Sequence, residues 1–155
     1  KEDSKILYLG ASHGVTVDLL SNLVPKGHIF AVEISPLTIQ NLLFLADKKK
    51  NISPIIADAN KPETYKNNVP QVDIVYQDIA QKNQVEIFLK NINLFLKPRG
   101  YAMLAVKSRS IDVTKSPRII FQEVEKLLSQ KLKILDFITL EPLEKDHAFF
   151  LCQKR

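Results

Sequence analysis

The sequence predicts an α/β fold with a seven-stranded sheet, six strands parallel and one antiparallel, and helices on both faces. Three observations carry that expectation. Short apolar runs alternate with stretches of helical periodicity through most of the 155 residues. Most of the early runs end directly in a polar or charged residue. The last two runs are joined only by Glu141–Asp146, too short for a parallel crossover, so the final strand must return antiparallel to the one before it.

The elements follow in order. Lys5–Leu9 reads as the first strand, closed by Gly10, which lets the backbone turn sharply because it has no Cβ. A helix is expected over Val15–Leu23, with Gly14 leaving its entrance bare for a ligand. His28–Glu33 is the second strand, and Pro36–Lys50 the second helix, with Ser35 as N-cap and Pro36 in its first turn. Strands at Ser53–Ala57 and Val72–Gln77 precede a helix over Val85–Leu96. A strand at Tyr101–Lys107 leads to a helix over Pro117–Gln130, opened by Ser116 and Pro117. Lys133–Leu140 and Ala148–Cys152 complete the sheet. No repeat, linker or low-complexity stretch divides the chain, and its length suits one domain over 1–155.

Composition narrows the function classes. The 22 Lys and Arg exceed the 17 Asp and Glu for a net charge of +5, a mild lean toward anionic partners that does not single out nucleic acid. No apolar run approaches the roughly 20 residues of a bilayer span, and no signal-peptide pattern opens the chain, so no membrane partner is expected. The single cysteine, Cys152 in AFFLC, excludes an internal disulfide or a multi-cysteine zinc site and reads as a buried structural thiol. The histidines lack ligand-like spacing, so no metal is expected; His13 reads as a loop residue and His28 as opening a strand. Lys48-Lys49-Lys50 reads as a solvated helix end complementing the helix dipole, with an RNA contact as the alternative.

Ligands of open parallel sheets bind beyond the carboxyl ends of the strands. Those ends here supply Gly10, Glu33, Asp58, Asp78 and Lys107. Glu33 can accept both hydroxyl protons of a ribose. A dinucleotide fingerprint needs G-x-G-x-x-G, and its middle glycine is Ser12 here, which disfavours a nicotinamide dehydrogenase. The G-x-x-x-G of Gly10–Gly14 suits a nucleoside without pyrophosphate, such as S-adenosyl-L-methionine. Asp58 is placed to accept from an adenine amino group, the Ala59 N–H to reach a ring nitrogen, and Asp78 to lie near the reactive end of the cofactor.

The string AVKSRSIDVTK (Ala105–Lys115), with LYLGASHG, QDIAQ (Gln77–Gln81) and LEPLEKDHA (Leu140–Ala148), closely resembles fibrillarin, most of all the archaeal fibrillarin-like proteins. The similarity runs from about Lys5 through the rest of the sequence. The VKSRSIDVT and EP-x-E-x-DHA blocks are more specific than the glycine loop, which many methyltransferases share. The resemblance implies a class I methyltransferase (Rossmann-like) sheet with S-adenosyl-L-methionine as cofactor. It implies 2′-O-methylation of ribosomal and transfer RNA at sites chosen by box C/D guide RNAs, with roles in pre-rRNA and tRNA processing. The partners it implies are the guide and substrate RNAs, a Nop-type scaffold protein and a kink-turn-binding ribosomal-type protein.

Carried over by position, cofactor contacts fall on Gly10 and Ala11, Val15 and Thr16, Glu33 and Ile34, Asp58 and Ala59, and on Asp78, Ile79, Ala80 and Gln81. The family's catalytic set is Lys-Asp-Lys-His, and Asp78, Lys107 and His147 match its last three members. The first lysine lies, in relatives, in a Ser-Lys-Leu-Ala type segment before the first strand, and the sequence begins too late to include it or the small N-terminal domain of archaeal relatives. Ile34 stands where relatives usually have an aromatic under the adenine, and Leu143 replaces a tyrosine.

The resemblance assigns Lys107 to the ribose 2′-oxygen, where it stabilises developing charge. Asp78 holds that ammonium and accepts from the nucleophile; His147 orients the pair or receives the proton. A lysine of depressed pKa acting as the base is the open alternative. Arg109, Arg118 and Lys115 flank this site and either position substrate phosphates or form surface ion pairs. Two competing functions remain: a non-catalytic cofactor-binding subunit of an RNP, and a stand-alone RNA methyltransferase. Relatives of the heat-shock ribosomal type carry glutamate as the fourth catalytic member, and His147 speaks against them. With no glycine–arginine-rich arm in the sequence, an archaeal cytoplasmic setting is expected, or a nucleolar one in a eukaryote.

Overall fold

Apolar runs bounded by turn residues fold into strands, and the amphipathic stretches between them cover the resulting sheet. The computed structural model describes residues Lys1–Arg155. The chain runs β1 (Lys5–Leu9), α1 (Val15–Leu23), β2 (His28–Glu33), α2 (Ile39–Lys48), β3 (Ile52–Ile56), a 3₁₀ turn (Pro62–Tyr65), β4 (Val72–Asp78), α3 (Gln84–Phe95), β5 (Leu96–Lys107), α4 (Ser108–Ile111), α5 (Pro117–Ser129), β6 (Leu132–Thr139) and β7 (His147–Lys154). All form one sheet in the order β3-β2-β1-β4-β5-β7-β6. Strands β1 to β5 pair in parallel, and β7 pairs antiparallel with both β5 and β6. The expected sheet of six parallel strands and one antiparallel strand is therefore present, with the odd strand just inside the edge.

Several boundaries differ from the sequence reading, each for a local reason. Regular α2 begins at Ile39 because Pro36–Thr38 forms a preceding turn. Ser35 still serves that turn: its Oγ accepts from the Thr38 N–H at 3.3 Å and its carbonyl from the Ile39 N–H at 3.1 Å. Ser116 occupies the N-cap of α5 with Pro117 after it, but its hydroxyl makes no capping bond; its carbonyl receives the first helical N–H groups instead. Strand β5 starts five residues before the expected Tyr101, at Leu96, because the chain passes straight from α3 into extended backbone and Leu96 pairs with Val72. The 3₁₀ turn and α4 have no apolar periodicity to announce them.

The two faces of the sheet are covered differently. On one, Leu7, Leu9, Val75, Leu104 and Phe150 are buried against Phe88, Ile92 and Phe95 of α3 and Ile120, Val124 and Leu128 of α5. On the other, Val17 of α1 and Ile39 and Leu42 of α2 cover Ile6, Tyr8, Ile29 and Ala31. Farther along that second face Tyr101 and Ile138 are exposed. Tyr8 and Tyr76 stack there with ring centroids 4.7 Å apart, and Phe149 tilts against Tyr76 at 5.8 Å.

Cys152 is fully buried, and burial pushes its thiol pKa up to about 11, so it behaves as a small apolar side chain. The lysine run is engaged within the fold. Lys49 pairs with Asp18 and donates to Ser21 Oγ at 2.9 Å and Asn22 Oδ1 at 2.7 Å, tying the end of α2 to α1. Lys48 lies 4.2 Å above the Phe44 ring. No helix is long and apolar enough to cross a membrane.

Candidate active site

A cleft of about 240 Å³ opens at the carboxyl ends of β1, β2, β4 and β5. Of the strand-end residues singled out in the sequence, Gly10, Glu33, Asp58, Asp78 and Lys107 all line it, together with Ile34, Ala59, Ile79, Ala80 and Gln81. Ser12, Val32, Ala57 and Ile87 also line it and were not anticipated. Ser12 is legible in retrospect, since it sits inside the glycine loop; the others are apolar residues indistinguishable from core in a sequence.

The glycine loop is built by its main chain. Gly10 has φ 82°, and a Cβ there would stand 2.3 Å from the Asp78 carbonyl oxygen, so only glycine fits between β1 and β4. The Gly10 and Ala11 N–H groups both donate to Val32 O at 3.0 Å, which pins the loop to the end of β2. Ala11 is thereby buried among core residues and does not line the cleft. Gly14 does not line the cleft. It takes φ 87° at the N-cap of α1, and a Cβ there would press on Leu42 of α2 at 3.0 Å. Its purpose is a left-handed turn under a close helix. Val15 is exposed, and neither it nor Thr16 lines the cleft.

The carboxylates on the β2–β3 side are already engaged. Glu33, nearly buried, accepts from the Ser12 N–H at 2.6 Å and from the Ser35 N–H at 2.8 Å, one amide per oxygen. Each oxygen keeps a lone pair for a further donor. Asp58 Oδ1 accepts from the Asn60 N–H at 2.9 Å, an Asx turn that fixes the acid at the mouth of the cleft. Ile34 is more than half exposed and forms an apolar wall.

The β4–β5 side is different. Asp78 Oδ1 lies 3.2 Å from Lys107 Nζ, yet at an angle unsuited to a hydrogen bond, so this buried oxygen has no bonded partner. Lys107 and His147 are directly opposite in the antiparallel register of β5 and β7, and their side chains therefore project from the same face. His147 Nδ1 is 2.5 Å from Lys145 O. A carbonyl can only accept, so the proton is assigned to Nδ1, which leaves Nε2 as the acceptor. Asp146, with φ 61°, turns the chain into β7 and accepts from the Ser108 N–H at 3.0 Å and Ser108 Oγ at 2.9 Å. Nearby, burial and the negative charge of Asp78 raise the pKa of Tyr76, so that its hydroxyl stays protonated.

His147 does not line the first cleft. It faces a second of about 530 Å³, bounded by Arg118, Phe121, Gln122, Phe137 and Thr139 among others. Arg109 is held by Asp146 Oδ2 at 3.0 Å and Val113 O at 3.2 Å, and Lys115 by Glu123 at 2.7 Å. Of the three cations expected to flank the site, Arg118 alone is not held in an ion pair.

Comparison with known proteins decides the family. The fibrillarin family profile matches residues 1–155. The chain belongs to the fibrillarin family. It is 49% identical over 152 residues to the fibrillarin-like rRNA/tRNA 2′-O-methyltransferase of Methanocaldococcus jannaschii, covering 97% of this chain and 66% of that one. A solved fibrillarin/Nop5p complex contains a chain 42% identical, with a TM-score of 0.98 over 100% of this chain and 74% of the other. The fibrillarin of Aeropyrum pernix, solved with natively bound S-adenosyl-L-methionine, is 39% identical with a TM-score of 0.88, over 98% of this chain and 67% of that one. The chain thus spans about two thirds of the length of such relatives. As a fibrillarin, it has the class I methyltransferase sheet that the strand order above describes.

Proposed function

We infer that this protein is an S-adenosyl-L-methionine-dependent RNA methyltransferase that modifies ribose 2′-hydroxyls of ribosomal and transfer RNA. The observation that carries the reading is the Asp78–Lys107 pair at 3.2 Å beside a cleft shaped for an adenosine, with His147 opposite Lys107. The relatives named above support the same activity.

The residues present fit the cofactor. Gly10 leaves the loop bare where a Cβ would collide, Glu33 has lone pairs for two ribose hydroxyls, and Asp58 and Ala59 offer an acceptor and an N–H to the adenine edge. When bound, S-adenosyl-L-methionine supplies an electrophilic methyl group on a sulfonium leaving group. The protein's own task is to aim the ribose oxygen and ease loss of its proton. Lys107 brings a positive charge to the oxygen as negative charge grows on it. The unpartnered Asp78 Oδ1 holds that ammonium and accepts from the hydroxyl. Nε2 of His147 orients the pair or takes the proton. Arg118 faces the approach with its charge unpaired and is suited to a substrate phosphate.

A Nop-type scaffold is the protein partner, as the solved fibrillarin/Nop5p complex supports for a relative. A box C/D guide RNA and a kink-turn-binding protein complete the proposed particle, and the cytoplasm of an archaeon is the proposed setting. The test is single-turnover methylation of a guided substrate by the full-length protein in the assembled particle. Activity that depends on the guide and is lost in Lys107→Ala supports the reading. Methylation that survives Lys107→Ala, or that proceeds equally on naked RNA without guide, overturns it.

A further inference from the structure

Gln84, the first residue of α3, and Gln77, near the end of β4, are both fully buried. The Gln84 side chain is used at both ends of its amide. Oε1 accepts from the Lys107 N–H at 3.2 Å. Nε2 donates to Gln81 O at 2.8 Å and reaches Lys107 O at 3.4 Å. Gln77 Nε2 in turn donates to the Gln84 carbonyl at 2.7 Å. One side chain therefore joins the Asp78–Gln81 loop to the end of β5.

The start of α3 does not need these bonds. Its opening turn is formed by the main chain, with Gln84 N–H donating to Gln81 O at 3.2 Å and Ile87 N–H to Asn83 O at 3.1 Å. The need arises in the sheet. Ser108 N–H points to β7, where Asp146 O receives it, so the preceding Lys107 N–H points the other way, toward β4. Strand β4 ends at Asp78, which is level with Ala105, and offers no carbonyl that far along. Gln84 Oε1 takes the place of the missing ladder acceptor. At neutral pH an amide of this length accepts from an N–H at one end while donating to carbonyls at the other. A thioether or alkyl chain does neither, and a carboxylate would set its charge against two carbonyl oxygens.

We propose that Gln84 is a positioning residue that fixes Lys107 relative to the Asp78–Gln81 loop, acting through the main chain without touching substrate. The proposal rests on the reading of Asp78 and Lys107 as the reacting pair.

Gln84→Met, which keeps length and removes all three of the amide's bonds, tests it in three measurements on the full-length protein. In the cofactor-free state the Lys107 amide should exchange its hydrogen at least ten times faster, with amides in the middle of β5 unchanged. Single-turnover methylation in the assembled particle should fall at least tenfold, while the dissociation constant for S-adenosyl-L-methionine moves less than threefold. Gln84→Glu adds a pH signature: its rate relative to the unmodified protein should climb as pH falls, because the protonated acid regains the donor. Unchanged Lys107 exchange, a rate within twofold, or loss of protection spread evenly over the whole sheet would each overturn the proposal. Should Gln84→Met fail to fold, the pH dependence of Gln84→Glu decides, and a flat relative rate refutes it. Lys107→Ala separates the two levels. Full activity there sinks the reacting pair and this role with it, whereas an inactive Lys107→Ala beside a fully active Gln84→Met sinks Gln84 alone.

Discussion

The two halves of the cleft hold their polar groups in opposite ways. On the β1–β3 side, side chains hold main chain: Glu33 takes the Ser12 and Ser35 amides, and Asp58 takes that of Asn60. On the β4–β7 side, the main chain beside the reacting groups is held, while the Asp78 and Lys107 side chains are engaged only with each other, as an ion pair at 3.2 Å. Lys107 is gripped at its N–H by Gln84 and Ser108 at its own by Asp146, while Asp78 Oδ1 lacks a bonded partner. The first half is a wall set before any ligand arrives. The second fixes where charges start from and leaves them able to respond. A group that must gain or lose interaction as a proton moves cannot also be structural.

That contrast sets a ranking of effects. The largest belongs to Lys107→Ala, where single-turnover methylation should fall by about 10²–10⁴, the span of a positioned acid–base or electrostatic group. The melting temperature should hardly move, because the side chain leaves solvent and a single ion pair. Glu33→Gln should act on both counts. Cofactor affinity should drop about 10–100-fold as charge-assisted bonds weaken, and stability should drop with it, read as a lower urea midpoint. Equal stability losses in the two variants would erase the distinction between the halves.

Gly10→Ala comes next. The left-handed φ and the collision with Asp78 O should cost about 1–3 kcal/mol, seen as a shifted urea midpoint and weaker cofactor binding. The smallest effect lies far from the cleft. Burial and the Lys5 charge hold the pKa of His28 below its ordinary value, where it hydrogen-bonds Ser53 Oγ at 2.7 Å. The unfolded chain then binds more protons in the window below about 6.5, so stability rises with pH through it. The urea midpoint should therefore fall on acidification, and less steeply in His28→Asn; parallel titrations of the two proteins would refute this.

How much of this was legible in the sequence depended on whether a residue works by its type or by its location. Gly10, Glu33, Asp58, Asp78 and Lys107 each stand directly after an apolar run, and the sheet brings them to one edge as expected. The order of the strands and the longer helices followed from periodicity, whereas the 3₁₀ turn and α4 did not. Gly14 shows what a sequence hides: a glycine opening a helix also clears room for a neighbouring helix, and only the place of Leu42 reveals that. Ala11 and Thr16 follow from the family resemblance alone, since neither lines the cleft and Ala11 is buried under the loop. Gln84 carries no signal in the sequence. A buried glutamine at the start of a helix gives no pattern, and its partner lies 23 positions away on another strand. Arg109 and Lys115 could not be distinguished from Arg118 until their acidic partners were located.

The insertion of β7 between β5 and β6 has a consequence for how the protein comes into being. On a ribosome β7 emerges after every other strand, yet it is an interior one. Until then β6 has no neighbour to pair with, and β5 presents a bare edge. Lys107 meets a residue 40 positions later in the chain, so this corner of the sheet closes only once β7 has been made. A chain made only as far as β5 already carries every residue that lines the first cleft, but not His147.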